Sequence, residues 1–333
     1  MIAFNNVNLV PMTGEQVINN QTVLVDDTEI IVIGPVNEVV IPEKAKIIDG
    51  EGAYLMPGLA DMHVHVLRDK WPVSQLKLYL ANGVTTIRSL GTTADEKDHR
   101  TNESLPFIGK AFSEQYDLRN FKDDAFQKDI RRKVSEIVNQ LRFKNIPVHT
   151  TLYIFEDVDT RLLEGSDELL GRAECKYLPE EMIRELSQGK DWFIEYLKEF
   201  KEFWHFLFEV QKIFLVELNN TGVPLVLGTD AGIGILGIVP GYSVHDELRV
   251  LTESGLTPYQ AIATSTVNAS KVVAAMNGKD DFGTIKVGKR ADFILVKKNP
   301  LEDVGNIKYN RGVMVAGRWY SKAKLQEMIS LND

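Results

Sequence analysis

Three residues in two separated segments of this sequence have the types and spacing of a metal-ligand set. His63 and His65 close the run Tyr54-Leu-Met-Pro-Gly-Leu-Ala-Asp-Met-His-Val-His, and Asp230 follows the equally apolar run Val223-Pro-Leu-Val-Leu-Gly-Thr. Side chains two apart on a strand point to the same face, so His63 and His65 present two imidazoles to one ion. Two imidazoles and a carboxylate are a minimal set for a hydrolytic divalent metal with open positions. A His-x-His pair also arises by accident on surface strands. Asp230, within Gly-Thr-Asp-Ala-Gly, also reads as a helix N-cap, although that alternative leaves both histidines unexplained.

Strands must carry these groups, and four are legible in the middle of the chain, over 55–65, 84–90, 146–155 and 223–229. Helical spacing predicts helices over 73–81, 125–142, 179–219 and 258–276. In the long helical segment 157–219, Trp192, Phe193, Leu197, Phe200, Trp204, Leu207, Phe208 and Ile213 recur at helical spacing and predict a buried face. Residues 1–55 and 285–333 alternate short β-rich runs with turns. This predicts one small β-sandwich domain built from both termini around a central domain, 56–284.

Composition narrows the function classes. The chain has 333 residues, 44% of them apolar, enough for a large core. A net charge of -9 argues against a nucleic-acid surface, which needs clustered Lys and Arg. The single cysteine, Cys175, excludes an intrachain disulfide framework and a cysteine zinc site. No apolar run reaches the roughly 20 residues that span a bilayer. The N-terminus lacks a basic, signal-like opening, so a cytoplasmic location is the expectation. No Gly-rich phosphate loop follows a predicted strand, which sets aside kinase, dehydrogenase and nucleotide-binding readings.

The order of apolar run, Pro-Gly turn and His pair resembles the amidohydrolase superfamily of metal-dependent hydrolases. So do Leu-Gly-Thr-Asp-Ala-Gly, His245-Asp-Glu-Leu, Gly255-Leu-Thr-Pro-Tyr-Gln-Ala, Phe282-Gly-Thr-Ile-Lys-Val-Gly-Lys-Arg-Ala-Asp and Asn299-Pro-Leu-Glu-Asp. These segments are similar to the imidazolonepropionase and Xaa-Pro dipeptidase branch. The resemblance implies an α/β fold, a βα barrel beside a small β-sandwich. It also implies hydrolysis of a C–N bond, in a dipeptide or cyclic amide, by metal-activated water. In that scheme His63, His65 and Asp230 hold the divalent metal, zinc, and Asp230 takes the water's proton and returns it to the leaving nitrogen. The family pattern adds a carboxylated lysine on the fourth strand and single histidines on the fifth and sixth. This sequence has no counterpart for them, and four strands are half of a barrel that typically takes about 250 residues. The expectation is therefore an incomplete barrel lacking a central block, with at most one metal per chain. The alternative is a catalytically inactive, truncated relative with a binding or assembly role.

Further residues are candidates for the rim. Arg88, at the end of the second predicted strand, suits a substrate carboxylate or an intrachain salt bridge. Tyr153 reads as a substrate contact or a core aromatic. His149, on the third predicted strand, is a substitute metal ligand. The resemblance places His245 near the mouth, orienting a loop or contacting substrate. His99 reads as a solvated surface residue and His205 as a packing residue. A half-barrel leaves strand edges open, which a second copy of the chain, in a homo-oligomer, would close.

Overall fold

The computed structural model describes residues 1–66, 71–90, 123–232 and 238–330. Twelve strands lie among them: β1 (Ile2–Leu9), β2 (Ile18–Asp26), β3 (Glu29–Pro35), β4 (Lys46–Asp49), β5 (Tyr54–Pro57), β6 (Leu59–Val64), β7 (Val84–Ser89), β8 (Val148–His149), β9 (Leu225–Val226), β10 (Phe293–Val296), β11 (Asn310–Val315) and β12 (Arg318–Ser321).

Eight of these form one mixed sheet in the order β12-β11-β10-β5-β1-β2-β3, with β4 beside β1. The two ends of the chain meet where β10 pairs antiparallel with β5, Phe293 opposite Pro57 and Val296 opposite Tyr54. β1 serves two parallel neighbours on one side, β4 along its first half and β5 at its end. Its pairing with β2 shifts register near Asn6, which has φ +55°. Such an irregularity bends a strand and raises its twist. The sheet curls until Glu29 bridges Arg290, with Ile30 N donating to Lys289 O at 2.9 Å and Ala291 N to Thr28 O at 2.8 Å. Both termini thus share one curled sheet and one core, which includes Phe4, Val25, Ile30, Leu55 and Phe293. The Phe4 ring meets Phe293 and Trp319 edge-on, at 5.6 and 5.2 Å between centroids.

The remaining strands are parallel. β6 pairs with β7 and β8 with β9. The two pairs join where Met62 N donates to Leu227 O at 2.8 Å, Asp230 N to His63 O at 2.9 Å and His65 N to Ala231 O at 2.8 Å. The described order is therefore β7-β6-β9-β8. Helices Gln75–Ala81, Pro258–Thr264 and Val267–Asn277 contact these strands, while helices Asp124–Phe143, Leu152–Glu164, Lys201–Thr221 and Tyr242–Glu253 pack against one another.

Several predicted elements differ from the structure. The run 55–65 is two strands, β5 in the terminal sheet and β6 in the parallel set. It is divided at Gly58, where a Cβ would stand 2.3 Å from Thr85 Oγ1. Segment 146–155 holds only the two-residue β8. Thr151 turns the chain with φ +39°, and the β-rich residues after it bury Leu152, Phe155, Val158 and Leu162 at helical spacing. The helix predicted over 179–219 is broken into Glu180–Ser187, Trp192–Leu197 and Lys201–Thr221, with Gly189 at φ +67° in the first break. The side chains of Trp192 and Phe193 lie outside the described set. The helix predicted over 258–276 is two helices, Pro258–Thr264 and Val267–Asn277. An additional helix, Lys322–Ile329, buries Leu325 and Ile329 in the main core. His205 does not pack as expected: its ring is half exposed and its Nδ1 lies 3.0 Å from Asp159 Oδ2. Cys175 is buried, its thiol donating to Leu169 O at 2.6 Å. His99 lies outside the described residues. No described helix is long and apolar enough to cross a membrane.

Truncating Phe293, fully buried where the two chain ends meet, should cost about 3–5 kcal/mol of stability. Denaturant unfolding of Phe293→Ala measures this, and a loss below about 1 kcal/mol would contradict a core shared by both termini.

Candidate metal centre

His63 and His65 lie at the C-terminal end of β6, and Asp230 follows β9 on the neighbouring segment. Nε2 of His65 stands 2.9 Å from Asp230 Oδ1, and Nε2 of His63 stands 3.3 Å from the same oxygen. One ligand atom from each residue lies within 4.8 Å of the other two, and all three residues are half-buried. Metal–ligand distances of about 2.0–2.2 Å in a tetrahedral site separate neighbouring ligand atoms by roughly 3.3–3.6 Å. The two separations from Asp230 Oδ1 lie one within and one just short of this range, so the donor set suits a divalent ion, and its partial exposure leaves a side for water. Burial alone would raise the Asp230 carboxyl, but the hydrogen bonds and charge of the two imidazoles hold it well below the usual carboxylate range.

The approach of the two segments depends on residues that lack a ligand's chemistry. Asp61, fully buried two positions before His63, accepts from Thr229 N at 3.1 Å and from Thr229 Oγ at 2.6 Å. It also accepts from His63 N at 3.3 Å, so one carboxylate ties both ligand-bearing segments. Burial pushes its pKa up to about 8, against the pull of these donors. A Cβ on Gly228 would lie 2.5 Å from the His63 Cβ, and one on Gly232 would lie 1.8 Å from His65 O. Between them, Asp230 occupies the left-handed region at φ +59°, where such strain persists only because neighbours impose it. Here it does not cap a helix among the described residues; its own N–H is taken by His63 O.

Two rim candidates converge on this point. Arg88, near the end of β7, donates from Nη1 to His149 Nε2 at 3.0 Å, and the His149 and His63 rings lie 5.4 Å apart in an edge-to-face arrangement. His149, proposed from the sequence as a substitute ligand, does not join the converging set of three among the described residues; its Nε2 is engaged by Arg88. Burial, followed by the nearby His63 and Arg88, pushes the His149 pKa down to about 4, which keeps the ring neutral. No carboxylate among the described residues stands within ion-pair distance of Arg88.

Two candidates do not join the site. Tyr153 is buried in the first turn of helix Leu152–Glu164, and its hydroxyl accepts from Arg172. His245 is buried within helix Tyr242–Glu253, and burial, then the Lys308 charge, pushes its pKa down to about 4. A helical periodicity buries both, where the sequence had suggested a strand end and a mouth loop.

Sequence reasoning passed over Asp61 and Glu247. Glu247 is fully buried and accepts Leu152 N at 2.9 Å and Tyr153 N at 2.6 Å, capping the helix after β8. Asp61 was available as a polar residue inside an apolar run, and Glu247 as a charge on the buried stripe of a helix. Burial pushes the Glu247 pKa up to about 7, while its donors oppose the shift.

Comparison with known proteins places these segments in context. The Amidohydrolase family model matches residues 211–320. An adenine deaminase of Clostridium perfringens is 26% identical over 323 residues, covering 82% of this chain and 51% of that protein. An imidazolonepropionase of Shewanella oneidensis is 33% identical over 141 residues, covering 39% of this chain and 31% of that one. The chain therefore spans about half the length, or less, of the curated relatives it matches. A solved prolidase complexed with N-methylphosphonate-L-proline superposes with TM-score 0.62 at 16% identity, over 96% of this chain and 99% of the other, a likeness of fold.

Gly228→Ala should force the β9 segment away from β6, lowering stability by roughly 1–3 kcal/mol and weakening metal binding. Unfolding curves and metal titrations of the variant test both effects together.

Glu247 gives a pH signature with a definite sign. A native pKa near 7 against about 4.3 in the unfolded chain means that the native state holds the extra proton between these values. The stabilisation linked to this proton is complete below about pH 4.3 and is lost as pH rises through about 7, at up to about 1.4 kcal/mol per pH unit. Glu247→Gln should flatten this part of the stability–pH curve, read from denaturant melts between about pH 5 and 8.

Proposed function

We propose that this chain, which belongs to the amidohydrolase superfamily, hydrolyses a C–N bond in a small amide or peptide substrate at the His63–His65–Asp230 centre. The observation that carries this reading is the convergence of two imidazoles and a carboxylate from separate strands onto one point. A divalent ion held there, zinc in the first instance and one per chain, would lower the pKa of a bound water towards about 7 and polarise the scissile carbonyl.

The protein's own groups supply the remaining steps. Asp230, ionised across the neutral range, accepts the proton of the attacking water at its carboxylate and delivers it to the leaving nitrogen. His63 and His65 stay fixed on β6 by the Asp61–Thr229 ties. Arg88, buttressed by His149 and free of a carboxylate partner among the described residues, offers two-point binding to an anionic substituent of the substrate. We read β7-β6-β9-β8 as part of a βα-barrel wall and the curled sheet as its companion domain, 1–55 with 285–333 against 56–284.

A second reading, an inactive truncated relative that binds or assembles, is favoured by the ligand set stopping at three among the described residues. Metal content and turnover separate the two. Protein loaded with zinc or manganese should hold about one ion per chain and cleave at least one member of a panel of Xaa-Pro dipeptides, imidazolonepropionate and adenine. Asp230→Asn should lower that rate by about 100-fold or more while keeping the fold. Equal rates in wild type and variant would remove Asp230 from the chemistry. Failure to retain any ion after loading would favour the inactive relative.

A further inference from the structure

We propose that Glu247 is a positioning residue that fixes His149, and through it Arg88, from a different helix. Helix Leu152–Glu164 begins immediately after the β8 turn, and its own N-cap residue, Thr151, makes no side-chain cap hydrogen bond. Leu152 and Tyr153 are buried, so their N–H groups need another acceptor. An unmet buried donor costs about 1–3 kcal/mol. Glu247 provides both acceptors, Oε1 at 2.9 Å from Leu152 N and Oε2 at 2.6 Å from Tyr153 N. A carboxylate at a helix N-terminus also meets the positive end of the helix dipole.

The same helix, Tyr242–Glu253, grips the first turns of helix Leu152–Glu164 at two further points. Asp246 accepts from Arg172 Nη2 at 2.6 Å, and Arg172 also donates to the Tyr153 hydroxyl; Arg249 pairs with Glu156 one turn on. Only the Glu247 bonds reach the backbone of the turn itself. That turn has little room to move. Thr151 sits at φ +39°, and its Cγ2 is 3.2 Å from the place a Gly228 Cβ would occupy, itself 2.5 Å from the His63 Cβ. Three residues before the first capped N–H group stands His149, whose Nε2 accepts from Arg88. A guanidinium has no acceptor, so the neutral ring must carry its proton on Nδ1. The turn therefore sets where His149 Nε2 meets Arg88; that bond fixes the tautomer of His149 and the direction in which Arg88 is held.

The functional weight of this inference rests on the reading of Arg88 as the group that binds a substrate anion; the test of the positioning itself needs no substrate. In nitrogen-15 spectra of histidine-labelled full-length protein, His149, assigned by its loss in His149→Gln, should show two well-separated, unaveraged ring nitrogens with the proton on Nδ1. Glu247→Gln, which leaves one acceptor in place, should draw these signals towards the averaged position of two exchanging tautomers while the other resonances stay folded. Arg249→Met, which loosens the same helix contact without touching the cap, should leave them separate. Unaveraged signals in Glu247→Gln, or equal averaging in Arg249→Met, would overturn the proposal. Glu247→Asp, which shortens the reach but keeps a carboxylate, should fall between wild type and Glu247→Gln, and it carries the same test if the glutamine variant does not fold. In metal-loaded protein with a carboxylate-bearing substrate, Glu247→Gln should raise KM about tenfold with kcat changed less than threefold, the pattern of lost ground-state binding. A fall in kcat alone would place Glu247 outside substrate positioning, and absence of turnover in wild type would count against the hydrolase reading only.

Discussion

The centre depends on one close contact, the approach of the segment 227–231 to β6. Four backbone hydrogen bonds join residues 62–65 to 227–231, and Asp61 accepts from His63 and Thr229 at the same junction. Without that contact His63 and His65 would share a strand face but meet no carboxylate. With it, a single Asp230 oxygen lies within 3.3 Å of both imidazoles. Gly228 and Gly232 make the approach sterically possible, since a Cβ at either position would overlap the His63–His65 strand.

Burying Asp61 and Glu247 is costly unless their oxygens are satisfied, and here backbone donors fill Glu247, while backbone donors and the Thr229 hydroxyl fill Asp61. Asp61 ties the two ligand strands together, and Glu247 ties the third strand's turn to helix Tyr242–Glu253. These are polar devices inside an apolar core. They fix geometry more than they add stability, because partly satisfied buried networks lose heavily when one member is removed. The terminal sheet contributes more remotely: β5 runs through Gly58 directly into β6, so the sheet's register and the position of the histidines are set by one continuous stretch of backbone.

The three residues that converge were legible in the sequence because their pattern is local. A His-x-His at the end of an apolar run and a Gly-Thr-Asp at the end of another carry their meaning in residue type and period-2 alternation. The pairing of β-rich ends was legible for the same reason, and the structure joins them through β5 and β10. The stretch after His149 misled because Thr-Leu-Tyr-Ile-Phe favours a strand by composition, while its burial spacing suits a helix once Glu247 caps it. Propensity is a weak prior, and a long-range cap overrode it.

Sequence by itself determined that two imidazoles and a carboxylate, a candidate metal set, stand at the ends of apolar runs, since this follows from types and spacing along a few residues. Only the tertiary structure decided that His149 accepts from Arg88, that Tyr153 and His245 are turned into the core, and that Asp61 and Glu247 hold the parts together. Those outcomes depend on contacts between residues 61 to 168 positions apart, such as Arg88 with His149 and Asp61 with Thr229. Local pattern has no access to such distances, because packing of whole elements, rather than the preference of any one residue, selects which buried polar groups meet.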